Sequence, residues 1–141
     1  MNELKIVKDF IDFIEHPPKE NKLRILEKKL ITIYMICFDL KNTQGKDPKI
    51  KIDYELTRNN ISPNFKELGF YNDVLEIRDN LGNTEFTTGD AIDDLTDIVK
   101  DLKESLTLEK EKDILSNMKL DFETHFKNHL INLLRYINSD I

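Results

Sequence analysis

FETHFKNHLINLLRYI, residues 122–137, is the stretch whose reading decides the fold. Set on a helix at about 100° per residue, Met118, Phe122, Phe126, Leu130, Leu133 and Ile137 fall on one apolar arc, and neither Gly nor Pro interrupts it. An arc of that length has to be buried against other elements. It predicts a closing helix from about Asp113 to Asn138 and a helical bundle around it. His129 lies inside the arc and His125 at its edge. A histidine set among Phe122, Phe126 and Leu133 requires a polar partner from a neighbouring helix, whether a metal, a carboxylate or a carbonyl.

The preceding helix offers such partners. GDAIDDLTDIVKDL, residues 89–102, places Ala91, Ile92, Leu95, Ile98, Val99 and Leu102 on a narrow apolar seam, with Thr88 as the expected N-cap. Asp90, Asp94, Asp97 and Asp101 form a stripe along one flank, with Asp93 nearby. Like charges three and four residues apart cost a helix ~0.2–0.5 kcal/mol each, and the helix dipole offsets only those in the first turn. Asp97 and Asp101 therefore call for another explanation.

Outward from these two helices, the chain reads as further helix. Residues 2–15 carry Leu4, Val7, Phe10, Ile11 and Ile14 on one half of a wheel, and His16-Pro17-Pro18 ends the run. A second helix is expected from Lys19 to Leu40. Its end, LITIYMICFDL, is apolar all round and reads as a buried pillar containing Cys37 as a small core residue. Residues 41–49 (KNTQGKDPK) read as a flexible loop, and 50–56 as an extended segment or the start of another helix. Ser62-Pro63 opens a short helix that stops before Gly69. Phe70–Arg78 reads as helical, 79–88 as a second flexible loop, and 106–112 as a charged connection. The expectation is an all-α, single-domain bundle of about five or six helices spanning 1–141.

Composition agrees with that class and narrows function. Charged residues make up 34% of the chain, with four Gly and four Pro, which favours charge-decorated helices over a turn-rich β protein. A single cysteine excludes an intramolecular disulfide and Cys-pair zinc spacings, and points to a reducing cytoplasm. The opening MNELKIVKDFIDFIEH mixes charge with apolar residues and does not read as a secretory signal. Leu30–Leu40 is about half the roughly 20 residues a membrane span needs, so no membrane partner is expected. Net charge is −6. Residues 1–50 hold ten Lys/Arg against eight Asp/Glu, and residues 51–141 hold 11 against 19, so the acidity belongs to the second part. Phosphate neutralisation requires the opposite balance, which argues against nucleic acid and favours a basic protein partner.

FYNDVLEIRD, GDAIDDLTDIVKDL and the closing FETHFKNHLINLLRYI, preceded by VKDFIDFIEH and LEKKLITIYMICFDL, together resemble an uncharacterised bacterial all-helical family known only as a domain of unknown function. The resemblance implies an α-helical bundle and carries over no catalytic residues.

Three chemistries compete for the polar residues. His125 and His129 have the HxxxH spacing that puts two imidazoles on one helix face, and His16 could add a third ligand to leave an open metal position. This layout resembles that of DinB-type four-helix bundles, although the wider sequence follows another pattern. The aspartate stripe could hold a divalent cation if a second carboxylate pair faced it, as in all-α nucleotide pyrophosphohydrolases. Asp121 and Glu123 point to different faces, however, and Asp9 and Asp12 would need a particular packing. Alternatively, the stripe is a solvated face, pairs with Lys22, Lys28 and Lys29, or docks a basic partner as inhibitor and immunity proteins do. The leading expectation is a protein-binding module that is not an enzyme and needs no cofactor, with Asp90, Asp94, Asp97 and Asp101 as its surface. A metal-binding helical-bundle enzyme using His125/His129 or that stripe is the alternative.

Overall fold

The computed structural model describes residues 2–41 and 44–139; residues 42 and 43, in the expected loop over 41–49, lie outside the described residues. Helix α1 (Glu3–Glu15) starts where the Asn2 side chain accepts a hydrogen bond from the Lys5 amide, and buries Val7, Phe10, Ile11, Phe13 and Ile14. Its end is closed from afar: the Asn64 side-chain amide donates to the carbonyls of Ile14 and Glu15, both at 3.1 Å. Helix α2 (Lys22–Asp39) follows a left-handed turn at Asn21. Leu26, Leu30, Ile33, Ile36 and Cys37 are buried, and burial pushes the Cys37 thiol up to about 12. Ile31, Met35 and Phe38 are exposed, so the LITIYMICFDL run is a half-buried face and not an enclosed pillar. The buried Lys119 donates to the Cys37 and Phe38 carbonyls and so caps the end of α2.

The alternation over 50–56 resolves into helix α3 (Tyr54–Ile61), capped by the Asp53 carboxylate on the Leu56 amide. Ser62–Asn64 forms a single 3-10 turn with Pro63 inside it, at the place where Ser62-Pro63 signals a helix start. The following segment corrects the all-α expectation. Phe70–Val74 (β1) and Phe86–Asp90 (β2) pair antiparallel, with Phe70 opposite Asp90 and Tyr71 opposite Gly89. Phe70–Arg78 is therefore not helical, and residues 86–88 of the loop expected over 79–88 are strand. Gly89 has a steric reason: a Cβ there would lie 2.1 Å from the Tyr71 ring, which crosses directly over it. The hairpin also moves the expected cap, because Thr88 is held in β2 and the Asp90 carboxylate instead accepts from the Ile92 and Asp93 amides.

Helix α4 (Ala91–Leu106) packs against α3, α5 (Glu111–Asp121) and α6 (Lys127–Ser139). Helices α5 and α6 are one continuous rod joined by a π-helical turn over Phe122–Phe126. The apolar spacing explains the turn. Met118, Phe122, Phe126 and Leu130 are four apart, and each four-residue step overshoots an α-helical turn by about 40°. A wider i→i+5 turn takes up the overshoot, and all four side chains are fully buried. Over the described residues the fold is thus predominantly helical with one two-stranded hairpin, and a single core cluster draws residues from every helix. Among the described residues no helix is long and apolar enough to cross a membrane.

Candidate metal centre

The aspartates of α4 and the histidines of the α5–α6 rod face each other across an antiparallel contact. His129 Nδ1 lies 2.7 Å from Asp94 Oδ1, and His125 Nδ1 lies 2.5 Å from Asp101 Oδ2. The i, i+7 step from Asp94 to Asp101 thereby meets the i, i+4 step from His129 back to His125. The imidazoles stand edge to face, 5.0 Å between centroids. The second nitrogen of His129, Nε2, lies 3.1 Å from Asp97 Oδ2. The charges that would repel along α4 are in this way answered by another helix, and the polar partner that the apolar arc demands for His129 is the stripe.

Further side chains hold these aspartates from α3 and the hairpin. Tyr71, aimed by its place in β1, donates to Asp94 Oδ2 at 2.6 Å. Tyr54 donates to Asp93, and Arg58 joins Tyr54 to Asp90 by a 2.7 Å ion pair. Burial, followed by the bonded aspartate, raises the hydroxyl pKa of Tyr71, and that of Tyr54 to about 12, so both remain donors at neutral pH. The Asp94 hydrogen bond raises the pKa of His129 against the opposing effect of burial. Burial raises Asp97 and Asp101 above the usual carboxylate range. Further along the rod, burial and the nearby Asp101 and Glu104 push Asp121 up to about 6.

Two groups of side chains could each hold a cation, with one ligand atom per residue and all atoms within 4.8 Å: Asp97, His125 and His129, or Asp93, Asp94 and His129. The second group is already committed to the tyrosines. In the first, Asp101 and Asp94 occupy Nδ1 of the two imidazoles and leave Nε2 of each as the remaining donor. Two donors on one zinc at about 2.0–2.1 Å stand roughly 3.0–3.4 Å apart; Asp97 and His129 are at 3.1 Å, and all three ligand atoms lie within 4.8 Å of one another, so His125 has to draw in to complete the set. The His125 side chain is 46% exposed, which opens this end of the cluster to solvent.

The residues singled out in the sequence are distributed unequally. His125, His129, Asp94, Asp97 and Asp101 converge, while Asp90 sits at the helix start with Arg58. His16 is exposed at the end of α1 and belongs to neither group. Lys22 pairs with Glu67 at 3.0 Å, and Lys29 lies over the Phe13 ring, so these lysines are engaged away from the stripe. Tyr54, Arg58 and Tyr71 carry no local signal, because each reaches the site only through the packing of α3 and the hairpin on α4.

Among the described residues, five helical rods and one hairpin, with a histidine–carboxylate cluster between the last two rods, define a small helical-bundle protein with an internal polar site. The chain belongs to the family described as Domain of unknown function (DUF5063), whose model matches residues 3–139. Among solved structures it is similar to protein BF1032 from Bacteroides fragilis, a Northeast Structural Genomics Consortium target. The TM-score is 0.70 and the identity 20%, over 97% of this chain and 88% of that one, a likeness of fold. Comparison with curated proteins yields no significant match.

Proposed function

We propose that this is a metal-binding helical-bundle protein in which His125, His129 and Asp97 hold one divalent transition metal, zinc or ferrous iron, with coordination positions left open to solvent. The observation that carries this reading is the carboxylate on Nδ1 of each histidine. Metal-ligating imidazoles are characteristically oriented in this way, since the carboxylate fixes the tautomer, presents Nε2 and raises its basicity. Two imidazoles and one carboxylate with open positions suit these ions, and a bound metal there would activate water or polarise a carbonyl or phosphoryl oxygen. The reading in which Asp90, Asp94, Asp97 and Asp101 dock a basic partner has less support. Asp94 and Asp101 are buried, and all four carboxylates are already bonded within the chain.

The test is direct. Protein stripped of metal and titrated with zinc or cobalt should take up one equivalent, with a rise in melting temperature and, for cobalt, visible d–d bands. Asp97→Asn and His125→Asn should abolish both signals. Absence of stoichiometric uptake together with an unchanged melting temperature overturns the proposal.

A further inference from the structure

The hairpin loop is the least protected part of the surface. Leu75, Ile77, Leu81 and Phe86 are 65–80% exposed on an arm of two five-residue strands. An isolated two-stranded hairpin is marginal in water, and an arm that leaves four large apolar side chains exposed is suited to contact with another surface. The arm is also acidic: residues 72–87 contain Asp73, Glu76, Asp79 and Glu85 against Arg78.

A receptor of opposite character lies on α1 and α2. A groove of about 1120 Å³ is lined by Ile6, Phe10, Ile25 and Ile31 together with Arg24, Lys28 and Lys29. Of the two acids that also line it, Asp9 is tied to Lys5 at 2.8 Å, leaving Glu27 against three cations. The hairpin cannot fold back into this groove within one molecule, because its base is fixed on both sides. The Gly69 amide donates to the Tyr136 hydroxyl, and the Gly69 carbonyl accepts from the Ala91 amide.

We infer that the occupant of the groove is the hairpin arm of a second copy of this chain, inserted through Ile77 and Leu81 with Glu76 and Asp79 set against Arg24, Lys28 and Lys29. Both halves of the contact are on the same chain, one acidic and one basic, which is the complementarity a self-association needs. Reciprocal exchange of arms closes the assembly as a two-fold dimer.

Sedimentation or light scattering of the full chain at high micromolar concentration tests the inference. The wild type should be dimeric, Ile77→Asp with Leu81→Asp should be monomeric with an unchanged far-UV spectrum, and Lys28→Glu with Lys29→Glu should also be monomeric. Combining the lysine changes with Glu76→Lys and Asp79→Lys should restore the dimer. A monomeric wild type, or a dimer that survives either pair of substitutions, overturns the inference. Loss with the arm variant alone overturns the assignment to the groove.

Discussion

His129 ties the closing rod to α4, because both its ring nitrogens bind carboxylates of α4 and one of these, Asp94, is 3% exposed. Removing one partner of a buried ion pair leaves the other uncompensated. His129→Ala should destabilise the metal-free protein by about 3 kcal/mol in urea unfolding, at the low end of that class because Tyr71 still donates to Asp94. Asp97→Asn is different. Its carboxylate is the more exposed partner of His129, and its loss should cost under ~1 kcal/mol while removing zinc binding. Comparing unfolding and zinc titration for the two variants therefore separates the structural role of the cluster from its metal role.

At the scale of elements, the cluster depends on two departures from regular helix. The hairpin carries Tyr71 over Gly89 to Asp94, and the π turn sets His125 opposite Asp101. Deleting the exposed Thr124 should close the π turn into α-helix with α6 still in register, because Met118 and Leu130 are then 11 residues apart, about 1100°, which leaves them about 20° from alignment. Both then stay in the core. The expected result is a loss of under ~1 kcal/mol in denaturant unfolding, and a loss of several times that contradicts this account of the turn. The π turn was legible in principle, from apolar residues four apart over three successive steps. The hairpin was not: its strands have five residues each, an 11-residue connection without a tight-turn signature separates them, and Phe70 and Phe86 remain exposed.

For the whole molecule, the direction of the pH dependence follows from groups that hold protons more tightly when folded. The raised pKa of His129 contributes stability that is complete below its unfolded value and is lost as pH rises through the folded one. Raised Asp97, Asp101 and Asp121 lose protons later in the folded than in the unfolded chain, so their contribution also falls with rising pH, for Asp121 between about 4 and 6. The surface acids Asp9 and Glu123 are lowered and act only at more acidic pH. The metal-free protein should therefore melt at a lower temperature at pH 8 than at pH 5. Zinc reverses the slope, since the ion binds deprotonated imidazole and carboxylate, and calorimetry at both pH values with and without zinc checks the sign.

By itself, the sequence determined the helical character, the apolar arc of the closing rod and the need of His129 for a polar partner, because these rest on local periodicity and on the cost of burying an unpaired polar group. The tertiary structure decided which partner met that need. It brought Asp94, Asp97 and Asp101, some thirty positions upstream, into register with His129 and His125, turned the α2 end half outward and folded residues 70–90 into a hairpin. Those outcomes depend on which faces are buried against which, a long-range choice that periodicity along one segment does not encode.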